Sequence, residues 1–320
     1  MNRYRAALGP VIVVLLFVIG TYWSPFEPHP PPADPSGAPS GTVSWPDEDW
    51  RVLVDAMTVA RSAGADTMSM GALMVEIGRS LVGAPLESAT PGSTPRLDVD
   101  LRSFDELGFV EHAYALAVVA RLGASSPTVD RADVESQYER VLQTVRYRNG
   151  VMDGYASRLV YVSEWIADND RKGLVDDMTR ELGGSLERAP LDVRSSRLAE
   201  DLTVMEPDVV DDMRRVEARL SGQGRYVIRE PELSVAITEI QDGDVIALAS
   251  AMRGRDVAHV GLAVHVDGTV RLLYRPTQEG GVTISAKPID QRIAASADEG
   301  GLIIARPKAP RVAGAGTQEP

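Results

Sequence analysis

Two short stretches hold the residues with the clearest chemical potential. In "RSFDELGFVEHAYAL" (102–116), Glu106 stands where a helix begins, ahead of Phe109, Val110, Ala113, Leu116 and Ala117 at helical spacing. In "VAHVGLAVHVDG" (257–268), His259 lies near the start of a strand-like run. A nucleophile at a helix N-terminus facing a strand histidine is a hydrolytic layout, because helix start and imidazole both favour the charged nucleophile. The chain has no cysteine, which excludes thiol catalysis, disulfides, thiolate zinc sites and a lipidated cysteine anchor. Glu106 is a poor substitute nucleophile, since its attack on an amide would form an anhydride harder to make than the bond being cut. Its available chemistry is general-base activation of water, with His259 as the acid.

A structural role competes. Ser103 and Glu106 form the S-x-x-E pattern of a capping box, worth roughly 0.5–2 kcal/mol with the helix dipole included. Capping is the principal expectation for Glu106, and a satisfied strand histidine is the corresponding one for His259. Glu106, Glu111, His112 and His259 invite a metal reading. However, adjacent Glu111 and His112 point about 100° apart on a helix, so no metal site and no cofactor is expected. His265 shares a strand face with His259 by parity but adjoins the Asp267-Gly268 turn, where solvation is expected.

These residues need a scaffold. Apolar periodicity predicts helices over 48–63, 68–82, 104–122, 131–146 and 208–220, with a Pro-punctuated loop over 83–100. After about residue 225, "RYVIRE", "SVAITEI", "DVIALAS", "HVGLAVHV", "TVRLLYR", "GVTISA" and "GLIIARP" read as short strands separated by turns. Helices followed by antiparallel strands predict an α+β fold. The expected organisation is a signal anchor or signal peptide (1–23), a Pro-rich spacer (24–46), one domain (47–306) and a disordered tail (307–320).

The net charge of −13 argues against a nucleic-acid partner, because phosphate binding needs basic surface. "MNRYR" precedes the uncharged apolar run 6–23, and no A-x-A site follows. Arg3 and Arg5 predict a cytoplasmic start, membrane attachment through 6–23 and an exported remainder. The expected location is a bacterial inner membrane with an extracytoplasmic domain; secretion after cleavage is the alternative.

"LRSFDELGFVEHAYALA", the block 145–184, "QDGDVIALAS" and "DVAHVGLAVHVDGTVRLLY" come in one order. Together they resemble the N-acetylmuramoyl-L-alanine amidase-like family, within the NlpC-type papain-like superfamily of bacterial cell-wall peptidases. The resemblance spans roughly 68–306 and implies a papain-like α+β fold. In the family's D-C-x-T-F-V-E helix start, the nucleophilic cysteine position falls on Glu106. Its catalytic histidine falls on His259, kept within Ala258-His259-Val260-Gly261. A histidine of its R-L-H-Y stretch falls on Val160, and the histidine of a later H-A-S strand end falls on Tyr274. Framework residues are retained while polar site positions change, so the resemblance implies an amidase-like protein that has lost hydrolysis.

The role read from this pattern is binding of a peptidoglycan peptide or an envelope protein at the former cleft. Arg148, Asn149, Arg158 and Trp165 are candidate ligand contacts, with Arg146, Tyr155 and Tyr161 nearby. Against that, the arginines would pair with the many acidic side chains, and Tyr161 and Trp165, spaced i and i+4, would be core. Two alternatives stay open. One is an active hydrolase using Glu106, His259 and water. The other is an envelope interaction module that works through the helices of 48–82.

Overall fold

The innermost helix is α3 (Glu106–Gly123), whose Phe109, Val110, Ala113, Tyr114 and Leu116 are all almost wholly enclosed. A helix apolar on every side must be surrounded. Accordingly α1 (Asp47–Ala63), α2 (Met70–Ser80) and α4 (Arg131–Arg146) pack around it. In α1, Leu53, Ala56 and Ala60 face inward at helical spacing, while Asp47, Glu48 and Asp49 occupy the dipole-positive first turn. Ser69 caps α2 by accepting the Ala72 N–H at 3.1 Å, and Asp130 caps α4 by accepting that of Ala132.

This computed structural model describes residues 45–86, 97–123, 130–200, 207–277 and 280–309. The apolar run 6–23 and most of the spacer and tail lie outside the described residues. Among the described residues, no helix is long and apolar enough to cross a membrane.

Beyond α4 the chain forms α5 (Val162–Arg171), β1 (Val175–Asp177), β2 (Ser185–Glu187), α6 (Val193–Glu200), α7 (Pro207–Gln223), β3 (Arg225–Val227) and α8 (Leu233–Glu239). It ends with β4 (Val245–Ser250), β5 (Val257–Val266), β6 (Thr269–Tyr274), β7 (Thr283–Ile284), α9 (Ile289–Ala295) and β8 (Glu299–Pro307). Six strands make an antiparallel sheet in the order β1-β8-β4-β5-β6-β7. Central β4 is buried on both faces: Val245, Ala247 and Ala249 join the core with α1–α5, while Ile246 and Leu248 join a second core under α8 and α9. The result is a helix–sheet–helix sandwich, and the α+β expectation holds.

One sequence expectation changes. "SVAITEI" is helical, because Leu233, Ala236 and Ile240 bury at i, i+3 and i+7 while Val235 is exposed. "RYVIRE" forms a strand as expected: its first half is β3, which pairs with β2 in a two-stranded sheet, and Ile228 just beyond it bridges to Leu302 of β8, with the Ile228 N–H donating to the Leu302 carbonyl at 2.9 Å. Described residues on either side of 47–306 also make defined contacts. Trp45 is buried and donates from Nε1 to Glu139 at 2.8 Å, and Lys308 accepts from the Tyr114 hydroxyl at 2.9 Å through its carbonyl.

One close approach fixes how the helices meet the sheet. Gly243, at φ 82°, has no room for a side chain, because a Cβ there would lie 1.9 Å from the Gly71 carbonyl oxygen of α2.

Candidate active site

Asp105, not Ser103, caps α3: its Oδ1 accepts the Gly108 N–H and its carbonyl accepts the Phe109 N–H at 3.0 Å. Ser103 instead donates to Asp100 at 2.6 Å. The capping-box expectation fails because Glu106 is the first residue of the helix, two positions too early to fold back on Ser103. Its side chain is free to point outward, and Oε1 reaches His259 Nδ1 at 2.7 Å. As a carboxylate, Glu106 accepts this bond. Both groups stay partly open to solvent, at 14% for Glu106 and 22% for His259.

Burial raises the Glu106 carboxyl above the usual carboxylate value, and the hydrogen bond and charge of His259 pull it partly back, helped by Arg255. Arg275, enclosed after β6, is lowered by burial and partly restored by Glu106.

The other imidazole nitrogen faces a residue that the sequence reading missed. His259 Nε2 lies 3.7 Å from Glu299 Oε1. Glu299 is held in turn by Arg292, at 2.6 Å to Oε1 and 3.2 Å to Oε2. Arg292 lies over the Tyr274 ring at 4.9 Å, and Tyr274 meets the His259 ring edge-on at 5.5 Å. Tyr274 thus flanks the histidine directly. The only signal for Glu299 in the sequence was an acidic residue opening the last strand.

The remaining candidates are spread through the scaffold. Arg148 binds Glu164 at 2.7 and 3.1 Å and the Ala156 carbonyl at 2.8 Å. Asn149 sits in a left-handed turn (φ 55°), its backbone N–H donating to Asp168 at 3.1 Å. Trp165 is fully enclosed, so its ring packs and presents no face to a ligand. Tyr161 donates to Glu217 at 2.6 Å and, with Tyr155 and Val160, joins an apolar cluster under α6 and α7. Arg146 is buried against Glu111 at 2.7 Å and His112 at 3.0 Å. Arg158 is the candidate brought to the site, partly exposed and 3.9 Å from Asp105. His265 is half-exposed and binds Asp242 at 2.8 Å. Among the described residues, no three metal-ligating side chains converge.

The model of the N-acetylmuramoyl-L-alanine amidase-like family matches residues 77–297, more than half the chain. The chain belongs to that family. An N-acetylmuramoyl-L-alanine amidase from Bacteroides uniformis is similar in structure, with 27% identity and a TM-score of 0.64 over 73% of this chain and 97% of that one. A Bacteroides fragilis protein named as a candidate xylanase reaches 29% identity and a TM-score of 0.61, over 72% and 98% of the two chains. A Legionella pneumophila protein at 16% identity and a TM-score of 0.57, covering 83% and 98%, shares the fold. No curated protein sequence matches. The amidase-like family therefore accounts for the helix-on-sheet frame that brings Glu106 to His259.

Proposed function

We propose that this chain is an exported, membrane-anchored amidase-like protein that binds a cell-wall peptide without cutting it. The observation that carries the reading is the 2.7 Å contact between Glu106 and His259. On the resemblance to papain-like cell-wall peptidases, that is where a cysteine thiol would meet the histidine. A carboxylate there satisfies the imidazole but offers no acyl-transfer chemistry, because its adduct with an amide carbonyl is an anhydride. Arg158 beside the helix start supplies a positive group for a peptide carboxylate. Export and anchoring rest on the charged start and apolar run of residues 1–23.

The test uses the purified full-length chain and soluble peptidoglycan fragments. Saturable binding with no released peptide is the expected result. Multiple-turnover release that disappears in both Glu106→Gln and His259→Ala overturns it.

That second outcome defines the competing reading, an active hydrolase. The same contact favours it, since a partly buried carboxylate with a raised pKa beside a histidine is suited to activating water. Neither binding nor release would favour the third reading, an envelope interaction module whose working surface lies elsewhere.

A further inference from the structure

His259 has acidic neighbours at both ring nitrogens, and the second neighbour is the more firmly built. Glu299 opens β8, two strands from β5 with β4 between them. Both pairings of β4 slip in register at its end, between Leu248 and Ser250, where Leu248 is opposite His259 and Ser250 is opposite Glu299. The preceding residue, Asp298, is fixed by several contacts, its own N–H donating to the Ser296 hydroxyl at 3.2 Å. It accepts from Arg255 at 3.0 Å and from the Ser250 hydroxyl, and its carbonyl accepts the Ala251 N–H at 2.7 Å. Arg292 then engages both Glu299 oxygens and covers the Tyr274 ring, whose edge meets His259. His259, Glu299, Arg292 and Tyr274 close a circuit of contacts around one imidazole. A surface ion pair would need no such enclosure, and Arg292 and Glu299 keep only 11% and 9% of their side-chain surface exposed.

We propose that Glu299, clamped by Arg292, is a positioning residue that holds His259 with Nδ1 facing position 106, so that a thiol placed there would be activated for amide cleavage. The inference rests on the reading that Glu106 replaced a thiol. It adds that the orienting carboxylate comes from β8, whereas the family resemblance places that role at the end of β6, where Tyr274 stands. The chemistry balances with water as the only co-reactant. A thiol at 106 gives its proton to His259 Nδ1 and attacks the carbonyl carbon. The C–N bond breaks as His259 passes that proton to the departing amine. Water then cleaves the thioester, releasing a carboxylic acid and regenerating the thiol.

The chain has no cysteine, so in Glu106→Cys an alkylating probe reports the introduced thiol alone. The charged groups around position 106 are His259 from β5, Arg255 from the connection between β4 and β5, Arg275 after β6, Asp105 before the helix and Arg158 beside it. The experiment follows iodoacetamide alkylation of full-length Glu106→Cys against pH, with and without Glu299→Gln or Glu299→Asp. In Glu106→Cys the midpoint should fall at least about one pH unit below the ordinary thiol value of about 8.5. Adding Glu299→Gln should return it toward that value, slowing alkylation at pH 6.5 by about tenfold. Glu299→Asp keeps the charge and should retain part of the shift, so a merely structural loss separates from a positioning one. A midpoint unchanged by Glu299→Gln, or an ordinary midpoint in Glu106→Cys itself, overturns the proposal. Peptidoglycan turnover by the unmodified chain would remove the inactivity reading and leave this readout standing.

Discussion

Glu106 and Glu299 address opposite nitrogens of a single imidazole, the first at 2.7 Å from Nδ1 and the second at 3.7 Å from Nε2 of His259. They come from elements on different sides of the fold, a helix start and the opening of the last strand. The histidine is therefore held by tertiary structure and not by its own strand.

The cap of α3 gives a direct test of which residue does the work. Asp105→Ala removes the acceptor for the Gly108 N–H and should cost about 1 kcal/mol, whereas Ser103→Ala should cost well under half of that. Urea unfolding midpoints of the two variants check the order.

The ionised Glu106 should be a burden on stability. Its folded carboxyl is raised by burial, so the native chain keeps a proton that the unfolded chain releases, and ionising it costs stability as pH rises. Glu106→Gln should therefore match or exceed the parent Tm at pH 7, by about 2–4 °C if the gain is about 1 kcal/mol. The difference should fade as pH falls below the unfolded value of about 4.5. Thermal melts from pH 4 to 7 read this out.

His112 acts in the opposite sense. It is fully enclosed beside Arg146 and Tyr138, and burial, with Arg146 and Arg158, holds its pKa well below 6.5. The folded chain keeps it neutral while the unfolded chain takes up a proton, so its contribution is complete above about pH 6.5 and drains away below. Replacing it by Gln should lower stability by about 2 kcal/mol at pH 7 and flatten the acid limb. Denaturant midpoints between pH 5 and 8 test both.

The Glu111–Arg146 pair is buried on both sides, with side-chain exposures of 0% and 4%. Arg146→Met leaves a carboxylate enclosed without its main partner and should cost about 3–5 kcal/mol, with Glu111→Leu in the same chain restoring most of it. A double-mutant cycle by equilibrium unfolding decides.

At the site itself, Arg158→Ala removes the partly exposed guanidinium beside Asp105. Affinity for an acidic peptidoglycan peptide should fall by about tenfold, the loss of one charge-assisted hydrogen bond. Titration calorimetry on the full-length chain, with circular dichroism to confirm that the variant folds, checks this.

Much of the scaffold is legible because it obeys one period at a time. The apolar repeats of α1–α4 and α7 and the β-rich runs of β4–β6 and β8 all emerge within a few residues of their positions. α8 does not, since seven residues of "LSVAITE" fit an alternating and a helical pattern about equally, and only packing under the sheet decides. The site was half legible. Glu106 and His259 stand out by type and local context. Glu299 does not, because its meaning depends on a strand order and a register slip that no local pattern contains. Arg148 and Trp165 look like ligand contacts in a list of residue types, yet one is tied to Glu164 and the other is sealed in the core.

Strand β8 has a consequence for handling the molecule. It begins at Glu299 beside the imidazole, and just past its far end, about 30 Å away, the Lys308 carbonyl is pinned by Tyr114 of the innermost helix. It therefore behaves as a tension member strung between the cleft and the middle of α3. Trimming the C-terminus far enough to remove Lys308 should slacken one anchorage of the strand that carries Glu299.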